Sequence, residues 1–147
     1  MEIYTDCSFL EKEGIAGIGI FINDGQKQRS FSNWTLSPSV NYGELFAIYE
    51  ACILTGGRPA TIYSDSQTAL DFIHKRIRLK KREDFKNQDQ YFLHRKMHVL
   101  AYQIRKVNPN IIFEKVKAHQ KDYRVGHLNN SMADLLAKRG ISKFFGR

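Results

Sequence analysis

The sequence predicts an α/β fold with a mixed five-stranded sheet, an antiparallel meander plus parallel strands, flanked by helices. Two observations carry this. The first 34 residues hold three β-rich runs with a hairpin turn signal between the second and third. The remainder alternates helical-period segments with two short apolar strands, giving the order βββ-α-β-α-α-β-α.

Residues 2 to 9 alternate with strand character, and Gly14 to Ile22 reads as a second strand whose small residues permit close approach. Asn23-Asp24-Gly25 is the turn, and Lys27 to Trp34 returns as the third strand. Asn41 to Thr55 carries apolar residues at 45, 48, 51, 52 and 54, a helical pattern that Gly56-Gly57 stops. Ala60 to Ser64 is a short strand, and Ser66 to Ile77 a helix with Ser66 as its N-cap. Past a basic stretch, Asp84 to Lys106 predicts a longer helix closed by Asn108-Pro109. Ile111 to Val116 is the last strand, followed by a polar loop and a helix from about Asn130 to Arg139. Gly140 is placed to cap that helix, with Lys138 and Arg139 favourable in its last turn. No repeat or linker interrupts the chain, so residues 1–147 are read as one domain.

The 42% hydrophobic and 26% charged fractions of the 147 residues suit a single-core globular domain and exclude disordered or fibrous classes. No apolar run nears the roughly 20 residues that span a bilayer. Met1-Glu2-Ile3-Tyr4-Thr5-Asp6 lacks the basic-then-apolar pattern of a secretory leader. Cys7 and Cys52, in unrelated contexts, argue against a disulfide scaffold or a cysteine metal cage. An intracellular, cytoplasmic monomer without membrane association is expected.

The net charge of +8 is uneven: residues 1–74 carry −5, residues 75–106 carry +8 and residues 107–147 carry +5. The basic arm, about residues 75–90, is densest at Lys75-Arg76-Ile77-Arg78-Leu79-Lys80-Lys81-Arg82. An acidic first half beside such an arm suits a site that holds cations and grips phosphates. A solvated helix face or a nuclear-targeting run are the alternatives.

Four acids fall where their surroundings should be apolar or crowded. Asp6 lies late in the first strand, Asp65 directly follows Thr61-Ile62-Tyr63-Ser64, Glu44 opens an apolar helix, and Asp134 sits between Ala133 and Leu135. If the first and fourth strands are parallel neighbours, their carboxyl ends bring Asp6 and Asp65 within a few ångströms, where open α/β sheets place their sites. Clustered carboxylates repel unless cations neutralise them, and hard oxygen ligands suit Mg²⁺ or Mn²⁺, two per site for phosphodiester cleavage. Singly, each acid has a plainer reading: Asp65 as an N-cap, Glu44 as a helix-dipole partner, Asp6 or Asp134 as exposed.

The chain also resembles type 1 ribonuclease H, in five motifs taken in order. Ile3-Tyr4-Thr5-Asp6-Cys7-Ser8 resembles its first-strand motif, Asn41-Tyr42-Gly43-Glu44-Leu45 its Asn-x-x-Glu-Leu helix start, and Tyr63-Ser64-Asp65-Ser66-Gln67 its Thr-Asp-Ser-Gln segment. Val116-Lys117-Ala118-His119 resembles its Val-Lys-Gly-His, and Asn130 through Ala137 its Asn-x-x-x-Asp-x-Leu-Ala helix. The resemblance implies a ribonuclease H-like fold and an endonuclease that cuts the RNA strand of RNA–DNA hybrids. It makes Asp6, Glu44, Asp65 and Asp134 the ligands of two Mg²⁺ or Mn²⁺ ions and His119 an aid to proton transfer or product release. It also implies base or sugar contacts from Asn41 and Gln67, with Ser8 beside them, and a phosphate contact from Ser39. The handle that grips substrate would be the arm carrying Lys75, Arg76, Lys80, Lys81 and Arg82.

Departures accompany the likeness. Cys7 replaces the family's Gly after the first Asp, putting a side chain where backbone closely approaches RNA. The 15 residues from His119 to Asp134 exceed the family's usual loop, which makes His127 a rival for the histidine role. His74, His94 and His98 read as an exposed helix face or ordinary packing. The arm lacks tryptophan, and Trp34, the one present, reads as core or sheet edge. Competing functions are a hybrid- or duplex-binding module without nuclease activity, or a DNA nuclease of the same fold such as a transposase, integrase or junction resolvase. A proofreading-type exonuclease is disfavoured because Asp6-Cys7-Ser8 lacks an Asp-x-Glu signature.

Overall fold

Pairing begins with β1 (Glu2–Leu10), β2 (Ile15–Asp24) and β3 (Lys27–Leu36), an antiparallel meander in the computed structural model, which describes residues 1–116 and 125–146. Gly25, at φ 73°, supplies the left-handed backbone of the two-residue β2–β3 turn. Two parallel strands, β4 (Ala60–Ser64) and β5 (Ile111–Lys115), complete the order β3-β2-β1-β4-β5. The mixed five-stranded sheet expected from the sequence is therefore the one that forms.

Helices cover both faces. Helix α1 (Val40–Leu54) starts where Ser39 accepts from the Tyr42 N–H at 3.1 Å, and it stops at Thr55, followed by Gly56 and Gly57 in left-handed backbone. Ile18, Ile20 and Ile22 of β2 face α1 and α3 (Gln88–Val107), burying completely with Ile3, Leu45, Ile48 and Ile104. On the opposite face Tyr4 and Phe21 pack against Ala133 and Leu136 of α4 (Val125–Phe144). With both faces covered, β2 is apolar almost throughout rather than alternating. Asn108 locks the end of α3 to the end of α1 through the Thr55 hydroxyl at 2.9 Å and the Arg58 carbonyl at 2.7 Å. Among the described residues, no helix is long and apolar enough to cross a membrane.

Four helix ends differ from the sequence expectation, one being the start of α4, at Val125 rather than about Asn130. Helix α2 (Gln67–Ile73) keeps Ser66 as N-cap but ends four residues before Ile77. There Lys75 takes φ 60°, Arg76 pairs with Asp71 at 3.2 Å, and Arg105 donates to the Phe72 and Ile73 carbonyls. The long helix starts at Gln88, not Asp84, because Asn87 caps it; Arg82–Asp84 form a separate 3₁₀ turn. Finally, Gly140 lies inside α4 instead of capping it. A Cβ there would collide with the Asn33 carbonyl oxygen of β3, so this glycine serves close packing rather than helix termination.

The same seam continues along β2. A Cβ on Gly17 would collide with the Ala137 carbonyl oxygen, and one on Gly19 with that of Ala133. Gly19 is also the register partner of Asp6 across β1–β2. Backbone on backbone leaves no side chain to give way, so Gly19→Ala should lower stability by about 1–3 kcal/mol. Urea unfolding checks this as a lower midpoint at unchanged slope.

Candidate active site

β1 and β4 pair in parallel, with Tyr4 opposite Tyr63, so Asp6 and Asp65 each lie two residues beyond that last pair. Glu44 reaches them from α1. One carboxylate oxygen from each of Asp6, Glu44 and Asp65 lies within 4.8 Å of the others. Asp6 and Glu44 are buried, Asp65 half-buried. Asp134 approaches from α4, close enough that its charge bears on Asp6, while its own carboxylate pairs with Lys138 at 3.1 Å.

The plainer readings of these acids fare unevenly. Glu44 is the fifth residue of α1, past the first turn, and only 6% exposed, which does not suit a helix-dipole partner in solvent. The N-cap after β4 is Ser66, not Asp65. Asp134 remains about half exposed.

Electrostatics in the cluster are adverse. Burial, then the charges of Asp65 and Asp134, push Asp6 up to about 7, against the single backbone N–H that Cys7 donates at 2.9 Å. Burial, followed by Asp6 and Asp65, likewise holds Glu44 well above the usual carboxylate range. Glu44 Oε2 is buried with no hydrogen-bond partner. An orphaned buried oxygen among mutually repelling carboxylates fits a divalent cation, since hard oxygen donors would then serve as ligands.

The Cys7 thiol does not project toward a substrate. It packs into the core against Gly43 of α1, whose missing side chain leaves it room, and burial raises its pKa strongly. No sequence signal marks the Cys7 N–H as a partner of Asp6, because any residue except proline supplies one. Ser8 is half-buried on β1; Ser39 is committed as the α1 N-cap, and Asn41 is half-buried in the first turn beyond it. Gln67 donates to Asp71 at 2.8 Å. Lys75, Arg76, Lys80, Lys81 and Arg82 are all exposed. Trp34 sits on the edge strand, edge-on to Phe144 at 4.9 Å. His119 and the His127 side chain lie outside the described residues.

A mixed sheet in this order, with acids gathered past its central parallel strands, defines a ribonuclease H-like fold. The RNase H family model matches residues 1–142, and the chain belongs to that family. It is 32% identical to ribonuclease HI of Haemophilus influenzae over 150 residues, covering 95% of this chain and 88% of that one. Its fold is similar to RNase H1 of the halophilic archaeon Halobacterium salinarum NRC-1, at TM-score 0.68 and 16% identity, over 97% of each chain. LC11-RNase H1, solved in complex with an RNA/DNA hybrid, matches at TM-score 0.68 and 19% identity over 98% of each chain.

The pH dependence of stability follows in sign. Because folding raises the Asp6 pKa from 3.8 to about 7, metal-free protein is favoured below the unfolded value and loses stability as pH rises through about 7. Mg²⁺ or Mn²⁺ should therefore raise Tm more near pH 8 than near pH 5. Thermal melts with metal or chelator across that range provide the check.

Proposed function

We propose that this ribonuclease H hydrolyses the RNA strand of RNA–DNA hybrids with Asp6, Glu44, Asp65 and Asp134 holding two divalent cations, Mg²⁺ or Mn²⁺. The observation that carries the reading is the convergence of Asp6, Glu44 and Asp65 around a partnerless Glu44 oxygen, in a chain of this family. When bound, such ions supply a water activated for attack and charge stabilisation at the leaving oxygen of the phosphodiester.

The remaining roles fall to the chain's own groups. Asp6 and Glu44, buried and disfavoured as anions, gain by giving up any proton to cation binding. Asp134, more exposed and tethered to Lys138, is the adjustable fourth ligand. The exposed cations of the arm grip phosphates, and Lys75, Lys80, Lys81 and Arg82 contribute with their charges. Arg76 shares its guanidinium with Asp71, which tempers its contribution. Ser8, Ser39, Asn41 and Gln67 contact the minor groove and backbone, where 2′-hydroxyls distinguish RNA from DNA. His119 assists proton transfer or product release.

Asp65→Asn tests the reading. Removing one ligand charge should cut hybrid cleavage on the order of a hundredfold or more, whichever metal is supplied. Cleavage assays on labelled hybrid, double-stranded RNA, double-stranded DNA and single-stranded RNA, with each metal and with chelator, supply the measurement. Hybrid cleavage that survives this change, or is absent with both metals, rejects the proposal.

A further inference from the structure

Between α2 and the 3₁₀ turn the basic arm has no helix or strand to hold it. Two histidines of α3 lie against it. His94, 8% exposed, accepts from the Lys80 backbone N–H at its Nε2, 2.9 Å away. One helical turn on, His98 lies beside the Arg78 backbone, and its Nε2 is buried without a partner. Positions 94 and 98 share a helix face, the one that lies against the arm. The imidazoles are themselves fixed, 4.5 Å apart and edge-on, with Phe72 at 4.9 Å from His98 and Phe85 at 5.1 Å from His94.

We infer that His94, backed by the ring of His98, is a positioning residue for hybrid recognition, pinning the arm's backbone at Lys80 to α3 so that Lys80, Lys81 and Arg82 meet substrate phosphates in a set arrangement. The inference rests on the arm being the phosphate-gripping element proposed above.

The contact requires an unprotonated His94 Nε2, since protonation turns that acceptor into a donor facing another donor. The groups facing the pair are cationic or apolar. Lys80 from the arm and each other's rings bear on the histidines, Arg105 bears on His98 from α3, and Phe72 and Phe85 supply the walls. Burial, then His98 and Lys80, lower the His94 pKa, favouring its neutral, gripping form near pH 7 and release of the arm in acid.

The experiment compares KM and kcat on hybrid for wild type, His94→Phe, His94→Gln and the combined Lys80→Ala/Lys81→Ala/Arg82→Ala protein, across about pH 5.5 to 8. His94→Phe keeps a ring but loses the acceptor and should raise KM about three- to tenfold with kcat within about twofold, the scale of one neutral hydrogen bond. His94→Gln restores a non-titrating acceptor, so KM should return toward wild type and its rise in acid should flatten. If the triple substitution leaves KM and its salt dependence unchanged, the arm reading falls and this inference with it. If the triple substitution weakens binding while His94→Phe behaves as wild type, this inference alone is overturned. It is equally overturned if His94→Phe lowers Tm and kcat together and His94→Gln rescues neither.

Discussion

Three register pairs, Glu2 with Thr61, Ile3 with Ile62 and Tyr4 with Tyr63, tie β1 to β4 in parallel, and the geometry of the acidic cluster descends from them. Parallel strands end together, so two acids two residues past a shared pair must approach each other. Thr5 strengthens the junction by donating from its hydroxyl to the Tyr63 carbonyl at 3.2 Å, and Tyr4 stacks on Tyr63 at 4.7 Å. Shifting this pairing by one residue would send Asp6 and Asp65 to opposite faces of the sheet.

That geometry sets like charges against a low-dielectric core. Asp6 faces β2 across the pair, and Glu44 stands on a helix whose inward residues are fully buried, so neither carboxylate can retreat into water. The completely buried isoleucines of β1 and β2 and their partners on α1 hold the frame in place while the acids strain it. The arm's cations lie exposed on a separate element, while within the cluster Asp134 pairs with Lys138 of its own helix. Separation leaves the buried Asp6 and Glu44 to cations and the arm's exposed lysines to phosphate.

Much of this was legible in the residues. Ala60–Ser64 forms as a strand at the bounds its apolar run suggested, and Ser66 caps the helix it was assigned. The convergence of Asp6 and Asp65 follows from their places at strand ends. Helix ends were less legible because tertiary partners decide them. The stop after Ile73 depends on Arg105, distant in sequence, and Gly140 reads as a cap until Asn33 is seen pressed against it. Cys7 looked like an intrusion toward substrate, and only the hollow left by Gly43 turns it inward. His94 resembled ordinary packing because its partner is a backbone N–H, which leaves no trace in a sequence.

The glycine seam beneath α4 sets a mechanical tolerance. Contacts made through rotatable side chains can absorb small displacements, but Gly17, Gly19 and Gly140 meet carbonyl oxygens and neighbouring backbone directly. The helix therefore has one seating depth on the sheet. Asp134 rides one residue after Ala133, which rests on Gly19, and Gly19 is paired with Asp6. A chain of backbone atoms thus runs from one carboxylate to the other. The distance across the acidic cluster is gauged by atoms the protein lacks.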